Sequence, residues 1–225
     1  MSAKRWGMVA VTLLAGIGSA AVAILWAAQQ VPDFYETALL NEIAPAVRQA
    51  EAREFTERIR QLSDDLQHAE EWSQEFTEQQ INSWFAEELQ NKYGELIPKG
   101  IEKPRIRLIE GGALLGFRYR QDRWKGVVSA RLKAKVLKPD QLAIRIEVAQ
   151  AGLLPIPIDS ALDEIVHHLQ DERWRVEWDS HNEGVLLVSF DGENVDRGAL
   201  SLLEIAPGIV RIGGRNIERT PPRPD

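Results

Sequence analysis

Leu115-Gly-Phe-Arg-Tyr-Arg120 and Val128-Ser-Ala-Arg-Leu-Lys-Ala-Lys-Val136 alternate side chains one by one between two chemical classes. Leu115, Phe117, Tyr119, Val128, Ala130, Leu132, Ala134 and Val136 form one set; Gly116, Arg118, Arg120, Ser129, Arg131, Lys133 and Lys135 form the other. A period of two is that of a strand with one face against a core and the other toward water. Ile144, Ile146 and Val148 continue the pattern against Arg145 and Glu147. Gly111-Gly112, Asp122-Arg123 and Pro139-Asp140 supply turn residues between the runs. Residues 105–151 therefore read as an antiparallel meander with one apolar and one cationic face.

Upstream the period is that of a helix. Phe55, Ile59, Leu62 and Leu66 fall at i, i+4, i+7 and i+11, a single apolar stripe on a charged segment that begins after Pro45. Thr77-Glu-Gln-Gln80 has the form of a capping box, with Ile81, Trp84, Phe85 and Leu89 as the stripe behind it and Tyr93-Gly94 as its end. Downstream, Gly152-Leu-Leu-Pro-Ile-Pro-Ile158 closes the meander, since prolines so close together do not continue a central strand. Leu162, Ile165, Val166 and Leu169 then predict a short amphipathic helix over residues 159–170. A hairpin is expected from Trp174-Arg-Val-Glu-Trp178 to Val185-Leu-Leu-Val-Ser-Phe190. Segments at residues 200–203 and 209–212 are expected to complete the same sheet, and the proline-rich residues 219–225 to be a disordered tail.

The N-terminus decides location. Residues 7–28, 22 in all, carry no charge, enough to cross a hydrocarbon core of about 30 Å as a helix. Trp6 and Trp26 bracket the stretch as interface residues, one for each side of the bilayer. The competing reading is a cleavable signal peptide, whose apolar region is typically about 7–15 residues. This one is longer, and cleavage after the small-x-small Ala21-Val-Ala23 would leave Ile-Leu-Trp at the new terminus. Lys4 and Arg5 precede the stretch and the first basic residue after it is Arg48, so the expected topology is a cytoplasmic tail of residues 1–5 and an extracytoplasmic bulk. The absence of cysteine excludes a lipidated cysteine and a disulfide framework.

Charge is unevenly distributed. The formal net charge is −7, but residues 33–97 hold 15 acidic and 5 basic side chains, whereas residues 99–138 hold 3 acidic and 12 basic. The fold expected is α+β: an N-terminal transmembrane helix over residues 6–28, then amphipathic helices in residues 31–98 packed on a curved antiparallel β-sheet within residues 99–218, all one domain.

A single span, Val31-Pro-Asp-Phe-Tyr35, Phe76-Thr-Glu-Gln-Gln-Ile-Asn-Ser-Trp-Phe85, Pro104-Arg-Ile106 and Ala151-Gly-Leu-Leu-Pro-Ile-Pro157 together resemble an uncharacterised family of bacterial membrane-anchored proteins, and are distantly similar to the YpmS-like proteins. The resemblance implies an anchored, exported α+β domain and carries no functional residue with it. A looser similarity of pattern to tubular lipid-binding domains concerns the fold alone.

Catalytic signatures are scarce. The chain has no Gly-x-Ser-x-Gly elbow, phosphate loop, dinucleotide fingerprint or cysteine nucleophile. Asp163 and His167, and Glu164 and His168, lie four apart on the predicted helix, a spacing that suits a hydrolase or metal site. Both histidines fall on the solvent side of the apolar stripe, so an ordinary exposed face is the expectation, with no enzyme activity, metal or cofactor.

Two surfaces carry the functional expectation. Phe117, with Trp84, Phe85, Leu153, Leu154 and Ile156, could line a groove for a lipid or other hydrophobic ligand, or could fill a core. Arg118, Arg120, Arg131, Lys133 and Lys135 could meet an anionic surface, be covered by the acidic helices, or stand in solvent. The leading expectation is lipid or hydrophobic-ligand binding beside the bilayer. The alternative is an interaction or scaffold module for an envelope membrane-protein complex. The acidic total and the expected compartment disfavour nucleic acid.

Overall fold

The computed structural model describes residues 26–40, 43–94, 97, 99–121, 124–139, 141–156, 175–189 and 198–216. It is an α+β fold. Helices α1 (Asp33–Leu40) and α2 (Pro45–His68) precede strand β1 (Glu71–Thr77). Helix α3 (Glu78–Trp84), a π-turn (Phe85–Leu89) and the single turn α4 (Gln90–Tyr93) follow. Then come β2 (Ile101–Ile109), β3 (Gly112–Gln121), β4 (Trp124–Lys138), β5 (Gln141–Ala151), β6 (Leu154–Pro155), β7 (Arg175–Trp178), β8 (Val185–Ser189), β9 (Gly198–Ala206) and β10 (Ile209–Asn216). Among the described residues no helix is long and apolar enough to cross a membrane. Trp6, the expected span as far as residue 25, the expected helix over residues 159–170 with its histidines, and the expected tail lie outside them.

The expected meander forms as antiparallel neighbours in the order β2-β3-β4-β5, extended by the hairpin as β8-β7, with β6 paired to β5 beside this path. It begins earlier than Pro104, because β2 is an edge strand that admits a proline at a bulge. The register shifts between Glu102 and Arg105, and Lys103 takes φ 49° there. A second bulge changes a face assignment. Arg131 pairs with Val148 but Leu132 with Ile146, so Glu147 is the extra residue and Val148 moves to the cationic face, where it is 43% exposed.

Residues 200–203 and 209–212 do not complete this sheet. They lie in β9 and β10, which form a separate three-stranded sheet in the order β1-β10-β9. Strand β1 was hidden in a segment expected to be helical. It alternates buried Trp72, Gln74 and Phe76 with outward Glu71, Ser73 and Glu75. The small sheet caps one end of the large one: Gly111 N–H donates to the Ile205 carbonyl at 2.9 Å and Leu200 N–H to the Pro139 carbonyl at 2.7 Å.

Helix α2 runs as its spacing predicts, yet its buried line is Ala52, with Phe55, Leu62 and Leu66 half-buried, while Ile59 is 43% exposed. Phe55 meets Phe76 at 5.2 Å and Trp84 at 5.5 Å between ring centroids, joining α2, β1 and α3 in one aromatic cluster. The capping box forms in full, with Gln80 N–H on the Thr77 hydroxyl and Thr77 N–H on the Gln80 carboxamide.

The capping box fixes where α3 begins, and α3 in turn blunts the free edge of β2. Asn82 donates to the Ile106 carbonyl and accepts from its N–H, both at 2.8 Å, and Glu78 accepts from Leu108 N–H at 2.7 Å. An unpaired edge would otherwise invite a strand from another chain.

Trp72 is 7% exposed, and its indole N–H is buried without an acceptor among the described residues. Removing an orphaned donor recovers its desolvation cost, so Trp72→Phe is expected to change stability by less than about 1 kcal/mol despite the smaller ring. Thermal melts of the two proteins check this. A loss well beyond that would show that the cavity left by the smaller ring outweighs the relieved N–H.

Candidate functional site

The long sheet presents its two faces as the alternation dictates. Leu115 lies opposite Ala130, Phe117 opposite Val128, Leu132 opposite Ile146 and Ala134 opposite Ile144. This places the apolar side chains of β3, β4 and β5 side by side. Burial on this face is uneven: Leu115, Phe117, Val128, Leu132 and Ile144 are each half-buried, whereas Leu108, Ala113, Ile146, Ala149 and Val176 fall below a tenth exposed.

The opposite face divides into a covered and an open part. At its centre Phe34 and Tyr35 of α1 lie on Gly116, where a Cβ would stand 2.9 Å from the Tyr35 ring and 3.0 Å from that of Phe34. Val127 and Ser129 are buried alongside. Tyr35 is fully buried and its hydroxyl donates to the Lys103 carbonyl at 2.8 Å. Burial pushes the Tyr35 phenol up from its ordinary pKa, against the lowering influence of Arg118 and Arg105.

Arg118, Arg120, Arg131, Lys133 and Lys135 share this face and are exposed. Arg120 pairs with Glu102 at 3.2 Å and Lys133 with Glu147 at 2.7 Å, both within the sheet. The acidic helix α2 instead pairs along itself, Arg58 with Glu54 and Arg60 with Glu57. Opposite charges in the two halves of the sequence therefore do not neutralise one another across these residues.

The expected groove residues are not brought into one site. Trp84 and Phe85 meet at a tilt of 51° with ring centroids 5.9 Å apart beside the β2 edge. Leu153, Leu154 and Ile156 lie beyond β5, three strands away in the sheet order, where Leu153 is 53% exposed at a turn. Phe117 stands between them on β3.

Sequence reasoning missed a cleft of about 350 Å³ lined by Arg48, Arg105, Arg107, Asn82, Ser83 and Gly208, among others. Arg105 is 4% exposed and donates to the Pro104 carbonyl at 2.8 Å; Arg48 is ion-paired with Glu87. Arg107 has no ion pair among the described residues. Glu78 also lines the cleft, so its wall is polar and of mixed charge rather than an apolar groove for an acyl chain. The Arg105 and Arg107 spacing of two was visible in the sequence, but the approach of Arg48 depends on tertiary packing.

The described residues contain no group of three His, Asp or Glu able to hold a metal. His68 lies on the Asp64 carbonyl at 3.0 Å. His181 occupies a turn built on Asp179, whose carboxyl is held below its ordinary range by hydrogen bonds from Asn182 and from His181 N–H.

One end of the sheet is tied to the N-terminal residues. Leu153 N–H donates to the Ala27 carbonyl at 2.9 Å, Gly152 N–H donates to the Val127 carbonyl at 2.8 Å, and Ala28 is 8% exposed. Trp26 is 62% and Val31 42% exposed at the same place. Nothing in the sequence signalled this docking except the glycine. The fold and these surfaces define an α+β protein whose long antiparallel sheet has one apolar and one cationic face. No family model, curated protein or solved structure matches this chain.

Proposed function

We propose that this chain is a single-pass membrane-anchored protein whose extracytoplasmic α+β domain binds a lipid or other hydrophobic ligand on the apolar face of its long sheet. The observation that carries this reading is the incomplete burial of Leu115, Phe117, Val128, Leu132 and Ile144, neighbours in register on one face. Apolar side chains gain about 25 cal/mol per Å² on leaving water, so a contiguous half-buried row favours an apolar occupant. The anchor is the uncharged stretch of residues 7–28. Its last residues pack on the domain, which would hold the sheet close to the bilayer and its lipids.

The test is photolabelling of membranes containing the full chain with a diazirine-bearing fatty acid, followed by peptide mapping. Labels within β3, β4 and β5 are expected. Labelling confined to residues 7–31 would overturn the groove and leave only the anchor.

A second reading, an interaction or scaffold module without enzymatic activity, is favoured by the exposed cationic row. Arg131 and Lys135 make no ion pair among the described residues, which suits an acidic membrane partner. Reversing both charges would then abolish partner capture and leave fatty-acid labelling intact.

A further inference from the structure

We propose that the end of the sheet bearing the Gly152 turn is a docking surface for an anionic bilayer, so that the domain stands on the membrane in one fixed orientation. The inference rests on the anchored reading above and adds to it a surface, a partner and a direction. Three observations carry it.

The first is continuity. The last residues of the apolar stretch belong to the fold: the Ala27 carbonyl accepts from Leu153 N–H at 2.9 Å, and Gly152 leaves no room between them. Only four residues separate Ala28 from Asp33, where α1 begins its passage over the sheet. A span ending at residue 28 therefore brings this end of the sheet, and no other, to the interface.

The second is exposed apolar surface at that place. Trp26, Val31 and Leu153 are 62%, 42% and 53% exposed, and the Leu153–Ala27 bond keeps them together. Large apolar side chains clustered on a protein end are suited to the headgroup boundary, where an indole in particular is favoured.

The third is charge. The strand ends that share this edge are those of β2, β3 and β4. They carry Lys99, Lys103, Arg120 and Lys125, all exposed. Arg120 N–H donates to the Gly100 carbonyl at 2.9 Å, and Arg120 pairs in register with Lys125, so these cations form one rim. Among the described residues Glu102, bound to Arg120, is a carboxylate on it, and Asp33 and Glu36 stand in the first turn of α1. Four cations against these three carboxylates leave the described rim positive by one charge. Cations held within a Debye length of an anionic leaflet are attracted to it, and salt weakens the attraction. The small sheet caps the far end, where Leu202 is 43% exposed and the cations Lys135 and Lys138 of β4 stand without a span to bring them to a bilayer.

The absence of cysteine makes the test direct. Full-length chain carrying a single Leu153→Cys, Leu202→Cys or Ile17→Cys substitution is labelled with a fluorophore. It is reconstituted in nanodiscs of phosphatidylglycerol and phosphatidylcholine doped with a spin-labelled lipid. The expected result is quenching at 17 and 153 and none at 202, with quenching at 153 reduced in phosphatidylcholine alone or in high salt.

Quenching at 17 without quenching at 153 would overturn the docking surface while leaving the anchor, and would free that patch for a protein partner. Quenching at both 153 and 202 would overturn the fixed orientation. No quenching at 17 would overturn the anchored reading itself, and the docking surface with it.

Discussion

Gly152→Ala is expected to prise residues 26–28 off the domain and to cost about 3 kcal/mol or more, a large share of an ordinary domain's stability. Gly152 takes φ +60°, a conformation that costs an L side chain roughly 1–2 kcal/mol by itself. The added Cβ would stand 2.4 Å from the Ala27 carbonyl oxygen and 2.8 Å from both the carbonyl carbon and the oxygen of Ala28. Those atoms are backbone, so no rotamer change relieves the overlap. The chain must part there, which breaks the Leu153–Ala27 hydrogen bond and uncovers Ala28. Hydrogen exchange at the Gly152 and Leu153 amides, with thermal unfolding of the full chain, provides the measurement. Exchange at the wild-type rate would show that the two segments do not depend on each other. The same variant bears on the docking surface, since a domain released from residue 27 has no reason to keep one orientation on a membrane.

This glycine illustrates what was legible and what was not. Period-two alternation placed Leu115, Phe117, Val128 and Leu132 on one face and Arg118, Arg120, Arg131 and Lys133 on the other, because a strand's side chains have only two directions available. The capping box at Thr77 was equally legible, its bonds being local. Bulges were not: Val148 changes face because Glu147 is inserted beside it, and nothing in the alternation of Ile144, Ile146 and Val148 signals the extra residue.

Strand β1 escaped for two reasons. Its middle buried position is a glutamine, Gln74, which weakens the apolar period, and its partner β10 lies far along the chain; the Glu75–Arg211 pair spans 136 residues. Grouping Trp84 and Phe85 with Leu153 failed for a related reason. Sequence spacing gives the face of each element but not the sheet order, and it is the order that puts β3 and β4 between them. The arginine cleft and the docking of residue 27 on Gly152 are likewise contacts between distant segments. Only the glycine itself left a trace in the sequence, and a glycine in a turn has many explanations.

Tyr35 carries the other large effect, and it reports on pH. Its side chain is fully buried between α1 and the sheet, so Tyr35→Ala is expected to cost about 3–5 kcal/mol through the cavity it leaves. Tyr35→Phe keeps the ring, removes the 2.8 Å bond to the Lys103 carbonyl, and is expected to cost about 1–2 kcal/mol at neutral pH. The two variants separate packing from hydrogen bonding. Burial raises the phenol's pKa in the folded protein above its unfolded value of about 10.

A raised folded pKa means that the unfolded state loses its proton first. The hydroxyl's contribution is therefore whole below about pH 10 and declines as pH rises from there through the folded value. Every other group is common to both proteins, so the difference between wild type and Tyr35→Phe isolates this one group. Urea denaturation of the full chain in detergent from pH 8 to 11 should show wild type more stable at the lower end and the gap closing toward the upper, by at most about 1.4 kcal/mol per pH unit. Parallel curves would mean that the phenol is not shielded in the folded protein. In that case α1 would not hold the sheet against the chain's N-terminal residues as tightly as its contacts with Gly116 and Lys103 require.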